Sequence, residues 1–272
     1  AYQPFTVKET LLTITYTAHG GSVSPGAELD SKNSTYDLPT PTRKNAAFLG
    51  WYTAVGKELV TNGTKLKSTY GQTLVAKWDT SGHSFVKSKT YQNNFKDVSS
   101  RAWYYPYVTA AYSYGLMDGI ETNKFKPDKQ ISAAQTITLA ARLRKLYLTG
   151  NGTFANSSPW YKAYSDYAIS QGIISSLPSD MNAPLTRQEF ASILAKALPS
   201  SALPSVNDVP DGSIPDVYKS DKGIYQLYRA GVLSGNDDAG TFRPNAPITR
   251  AEVASVLVRM ADPNTRILFS LD

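Results

Sequence analysis

Two arginines in this chain stand where a helix has no use for a cation. In "LTRQEFASILAKAL" and "ITRAEVASVLVRM", Thr186 and Thr249 are followed three residues later by Glu189 and Glu252, and then by apolar residues at helical spacing. That pattern is a capping box, in which the Thr hydroxyl accepts from a first-turn amide and the Glu carboxylate returns to the amide of the cap. Arg187 and Arg250 fall at the first helical position, against the positive end of the helix dipole. A third start, Ser132-Ala133-Ala134-Gln135, meets the same pattern with no arginine, so these helices are expected to fold without one. A helix N-terminus offers unpaired amides, and an added guanidinium holds a carboxylate through two parallel hydrogen bonds. The expected chemistry is recognition of an anion by Thr186-Arg187 and Thr249-Arg250, with pairing to a local acid such as Glu189 or Glu252, or simple solvation, as the alternative. Ala133 removes the arginine from the first cap, which is expected to contribute little.

Other candidates suit a sugar ligand. Trp103 and Trp160 each precede a helix that ends in Gly; an aromatic face there either floors a pyranose groove or covers the core. Asp97 in "FKDV" and Asp208 in "VNDV" either accept sugar hydroxyls or cap a turn. Catalysis is not expected. With 2 His and no Cys, and with His19 and His83 far from other ligand types, neither a thiolate or His-based metal site nor a His-dependent triad is readable. No nucleophile elbow, phosphate loop or zinc-helix motif is present, and Asp237 and Asp238 read as turn residues. No catalytic residue, cofactor or metal is assigned.

The elements that position these residues repeat. "WYYPYVTAAYSYGLMDG", "WYKAYSDYAISQGIISS" and "KSDKGIYQLYRAGVLSG" are three versions of one helix ending at Gly115, Gly172 and Gly231, and each leads through a loop to one of the capped helices. In two loops, "KFKPD" and "TFRPN", an aromatic can plug the core and a Pro stiffens the approach to the cap. The middle loop is shortened. Three amphipathic pairs cannot each bury an apolar face alone, so they should pack together. Before residue 80 the texture changes: "LLTITYTA", "FLGWYTA" and "TLVAKWD" are short strand-like runs between turn residues. The division is a β-rich part over 1–79, a linker over 80–93, and helix-pair units over 94–150, 151–203 and 204–272.

"FKDV" with Trp103, the Gly-ended helices, "FKPD" or "FRPN", and "TRQE" or "TRAE" resemble the surface-layer homology module, present three times. "FLGWYT" and "TLVAKWD" resemble a Listeria–Bacteroides repeat, the β-grasp-like module of bacterial surface proteins. The resemblance implies an α+β chain: a small β-grasp-like module, then a mainly α trimer of modules about a pseudo-threefold axis, with one helix of each in a central bundle and grooves between neighbours. It further implies a non-catalytic, extracellular anchor at the bacterial cell wall. Its ligand would be a pyruvylated secondary wall polysaccharide, or modified peptidoglycan, bound through Arg187, Arg250 and the aspartate. A wall-remodelling enzyme fragment, or a protein adhesin acting through the β module, are the other readings.

Composition reads as a folded, globular protein, and the absence of Cys fits a secreted surface protein as well as a cytosolic one. Apolar residues make up 41% of 272, and the net charge of +6 is not concentrated in either part, so nucleic acid is not an expected partner. No apolar run approaches the ~20 residues of a membrane span. The abrupt opening into strand-like sequence is expected of a piece cut from a longer protein.

Overall fold

The structure, a computed structural model, describes residues 12–23, 28–29, 38–43, 46–55, 57–61, 72–79 and 85–271. His83 and linker residues 80–84 lie outside these; His19 is exposed.

The N-terminal part is a five-stranded mixed sheet of β1 (Leu12–Thr17), β2 (Glu28–Leu29), β3 (Ala47–Thr53), β4 (Leu59–Val60) and β5 (Gln72–Asp79), in the order β2-β1-β5-β3-β4. Alternation does what the sequence suggests: Leu74 and Ala76 of β5 point into the core while Thr73 and Lys77 face out. β1 pairs parallel with β5, and β3 pairs antiparallel on its other side, which agrees with the β-grasp-like expectation. Trp51 is fully buried at the centre, and its indole nitrogen donates to the Pro39 carbonyl at 2.7 Å. The core is small, with Ile14, Leu38, Val60, Leu74 and Ala76 around that Trp.

Six helices follow: α1 (Tyr105–Ser113), α2 (Ala133–Thr149), α3 (Lys162–Ser170), α4 (Arg187–Leu194), α5 (Lys222–Arg229) and α6 (Arg250–Ala261). The first helix of each pair ends as its glycine predicts, since Gly115, Gly172 and Gly231 all have φ near +67°. At Gly231 space forbids a side chain as well: a Cβ would lie 2.6 Å from the Ile267 carbonyl oxygen.

The units interlock. α3 packs on α2, α5 on α4, and α1 closes the ring against α6, so each first helix is buried by a neighbouring unit's second helix. The three caps meet at one end of the ring. Extended residues just before them pair in turn, Gln130 with Thr249, Ser132 with Pro184, and Thr186 with Pro247. Phe125 and Phe242 are buried, as the plug reading expects. The described part of the linker is not slack. Ser88 and Lys89 amides both donate to the Ser113 carbonyl, at 2.8 and 3.1 Å, and Phe85 lies 5.8 Å from the ring of Tyr147 in α2.

Candidate functional site

All three capping boxes form. Thr186 and Thr249 accept from the amides of Glu189 and Glu252, and those carboxylates accept from the cap amides at 2.8 Å; Ser132 and Gln135 do the same with a neutral side chain. The next two amides, expected to be free for an anion, are not. Arg187 and Gln188 donate to the carbonyls of Ala246 and Pro244, Arg250 and Ala251 to those of Lys129 and Pro127, and Ala133 and Ala134 to those of Ala183 and Met181. Each helix start is therefore spent on the loop of the next unit. Sequence reasoning treated the cap as an isolated helix end, where these donors have no partner.

The expectation that the arginines are dispensable for folding is corrected by the same contacts. Both are buried, Arg187 at 9% and Arg250 at 4% exposure. Arg187 reaches into the third unit, where Nε donates to the Phe242 carbonyl at 2.8 Å and Nη1 to Glu252 Oε1 at 2.7 Å, with the guanidinium 5.2 Å from the Phe242 ring centre. Arg250 reaches into the first unit: Nε donates to the Phe125 carbonyl and Nη2 to that of Asp118, both at 2.8 Å, and the guanidinium lies 4.6 Å from the Phe125 ring centre. Two of the three joints in the ring are stapled this way. Removing Arg250 leaves the carbonyls of Phe125 and Asp118 without that donor, and removing Arg187 leaves Glu252 without its counter-ion while the Phe242 carbonyl keeps Asn236 Nδ2 at 3.2 Å; an unmade buried bond costs more than the bond itself contributes.

The aspartates belong to the same assemblies. Both oxygens of Asp97 accept backbone amides, from Phe125 at 2.8 Å and Lys126 at 2.7 Å, where Lys126 has φ +56°. The carboxylate holds the aromatic plug from one side and Arg250 holds it from the other. In the third unit this place is taken by Asp216, which accepts from Phe242 and Arg243 at 2.8 and 2.7 Å. Asp208 is not the counterpart. It is exposed on a segment whose carbonyl at that residue accepts from Leu271. Both are Asp-Val dipeptides, and the signal that separates them is distance to the plug: Asp97 precedes Phe125 by 28 residues and Asp216 precedes Phe242 by 26. Asp216→Ala should lower stability by about 2 kcal/mol, for two charge-assisted bonds lost, with Asp208→Ala within about 0.5 kcal/mol of the parent in urea melts.

The joint between the first unit's cap and the middle unit's loop lacks both the arginine and the aromatic plug. Ser179 stands seven residues before the middle unit's cap, the place of Phe125 and Phe242, and Ala133 faces that unit in place of an arginine. Ala133→Arg alone should therefore leave both melting temperature and ligand affinity unimproved, because the incoming guanidinium meets no aromatic face; calorimetry checks both. Trp103 and Trp160 are 58% and 53% exposed at the starts of α1 and α3, with edge contacts to their own helical neighbours. The described contacts join neither to an arginine.

The two arginine sites differ in charge. Arg187 has Glu252 as counter-ion, whereas the corresponding residue near Arg250 is the neutral Gln135. Among the described residues no carboxylate lies within 4.0 Å of Arg250, and its Nη1 makes no hydrogen bond. Burial pushes the Arg250 pKa down to about 10, opposed by the more distant charges of Asp97 and Asp118. A buried cation whose hydrogen bonds go to carbonyls, with an aromatic face beside it and no carboxylate in contact, is under-compensated.

The model of the S-layer homology domain matches residues 94–137 and 213–254, and that of the Listeria-Bacteroides repeat domain matches 13–77. The chain carries S-layer homology (SLH) domains and a Listeria–Bacteroides repeat. The third-unit SLH match starts at Ser213, so it includes Asp216 and excludes Asp208. Helices α3 and α4 lie outside the matched spans, but they take the same places in the SLH ring. The chain is similar to the Surface-layer 125 kDa protein of Lysinibacillus sphaericus, 31% identical over 43% of the chain and 11% of that protein. It is also similar to an Endoglucanase of Bacillus sp. (strain KSM-635), 24% identical over 63% of the chain and 19% of that protein. With the Exoglucanase XynX of Acetivibrio thermocellus it shares 29% identity over 43% of the chain and 12% of that protein. The chain thus spans less than a fifth of the length of these relatives. SLH domains are anchoring modules, and these matches assign the protein to the bacterial cell surface or wall.

Proposed function

We propose that this chain is a non-catalytic wall anchor whose SLH ring binds a pyruvylated secondary wall polysaccharide, with Arg250 as the principal carboxylate contact and Arg187 as a weaker one. The observation that carries this reading is the charge of Arg250. A ketal carboxylate docking on Nη1 would supply the anion that Gln135 does not, and would form a charge-assisted bond in a desolvated place. Arg187 already has Glu252, so a ligand there competes with a protein carboxylate. Trp103 and Trp160, exposed on the outer surface, would extend contact along the glycan by stacking; Thr186, Thr249 and Asp97 act by holding the loops and caps in place. The two relatives named as glucanases match over a small share of their length, which is how a shared anchor beside a separate catalytic region would look.

The test is isothermal calorimetry with wall polysaccharide before and after mild acid removal of the ketal. Binding that needs the ketal supports the carboxylate reading. Binding that survives its removal moves recognition to sugar or peptide contacts, modified peptidoglycan included. Release of reducing ends from the glycan by the chain itself would overturn the non-catalytic assignment.

A further inference from the structure

The SLH ring has two unlike ends. The caps, with Arg187 and Arg250, meet at one end, and from there α6 runs the 12 residues to Ala261, about 18 Å at 1.5 Å per residue. At the far end a 3-10 turn, Pro263–Thr265, meets β3 of the β module. The strand is shaped for that meeting. Its pairing with β5 skips Leu49, a bulge that re-aims this side chain, and Leu49 with Phe48 lines a cavity of about 30 Å³ facing Met260, Pro263 and Arg266. Gly50, at φ +126°, brings the strand close: a Cβ there would be 3.4 Å from the Pro263 Cβ.

Beneath the contact Arg266 is 3% exposed. Its Nε donates to the Arg259 carbonyl at 3.2 Å and its Nη2 to that of Ala202 at 2.8 Å, while Nη1 is buried with no protein partner. The cavity is large enough to admit water, a partner such a nitrogen needs. Tyr114 closes the same space by donating to Asp262 Oδ2 at 3.1 Å. The linker adds a second attachment, because residues 85–91 are bound along α1 and α2: besides Phe85 on Tyr147, Tyr91 packs on Phe95, Tyr105 and Tyr112.

We propose that the β module and the SLH ring form one rigid body, with the β module seated on the end of the ring opposite the arginine sites, so that a ring docked on wall glycan holds the β module outward. The fixed seat stands on the contacts above; the outward direction also rests on the anchor reading. Because the chain has no Cys, two introduced thiols are the only labels. Spin labels at V55C, which is 97% exposed, and at the exposed S176C should give one narrow distance distribution in pulsed electron resonance. L49D, which puts a charge against Pro263, should broaden it several-fold. A broad distribution without L49D overturns the fixed seat. Should L49D unfold the β module, matched rotational correlation times for the two parts of the parent chain, by 15N relaxation, support the seat, and unequal ones overturn it.

Direction is read separately, from maleimide labelling on purified sacculi. Q130C, exposed beside the caps, should be protected at least tenfold on binding, and V55C should not be. Protection of V55C instead reverses the orientation. Failure of the chain to sediment with sacculi sinks the anchor reading and the outward direction with it, while the distance distribution still judges the seat.

Discussion

Arg250→Ala should lower the stability of the ring by about 3 kcal/mol, and with it the melting temperature by about 8 °C. Two bonds from a charged donor are lost, each worth roughly 1.5 to 3 kcal/mol, together with the stack on Phe125, and the recovered cost of desolvating the cation offsets only part of that. The carbonyls of Phe125 and Asp118 are left facing a space their former partner filled. Arg250→Lys should recover little, because a single ammonium cannot reach both carbonyls and lie flat on the ring. Urea melts followed by circular dichroism read the stability. Glycan calorimetry well below the transition reads whether affinity falls in the variant that is still folded. A loss of under about 1 kcal/mol would mean that the loop of the first unit holds its shape without the arginine, and the staple role would be wrong.

How much of this was legible in the sequence depends on how far each contact reaches. The helices, their glycine ends, the capping boxes and the buried Phe125 and Phe242 follow from neighbours within a few residues; the repeat implied only that the three pairs pack together, and the resemblance to the surface-layer homology module implied the ring. The partners of Arg187 and Arg250 lie 55 to 132 residues away, and no local rule places a first-position arginine on the aromatic of the next unit. One internal clue existed. Ala133 and Ser179 fall together on a single joint, so the arginine and the plug are absent as a set. Reading each departure separately hid that they belong to one device. The free amides failed for a related reason: an N-terminus inside a ring is an interface, and its donors are claimed by the neighbour.

The stapling and the binding roles of Arg250 make opposite demands on Gln135, and exchanging one acid between the joints separates them. Gln135→Glu would give Arg250 the counter-ion that Glu252 provides to Arg187, at no cost to the cap, because Gln135 and Glu252 already complete their boxes equally well. Stability should rise, by about 1 kcal/mol, since the pairing of a buried charge is partly cancelled by desolvating the new carboxylate. If a ligand carboxylate uses the same guanidinium, affinity for the pyruvylated glycan should drop about tenfold, because the glycan must now displace a protein anion. Glu252→Gln should do the reverse in the other joint: a fold weaker by about 2 kcal/mol and an Arg187 released for ligand. A purely structural arginine would show the stability changes with no change in binding, whereas a ligand contact couples the two with opposite signs. Measuring both quantities on both variants therefore decides whether a residue already committed to the fold also recognises the wall.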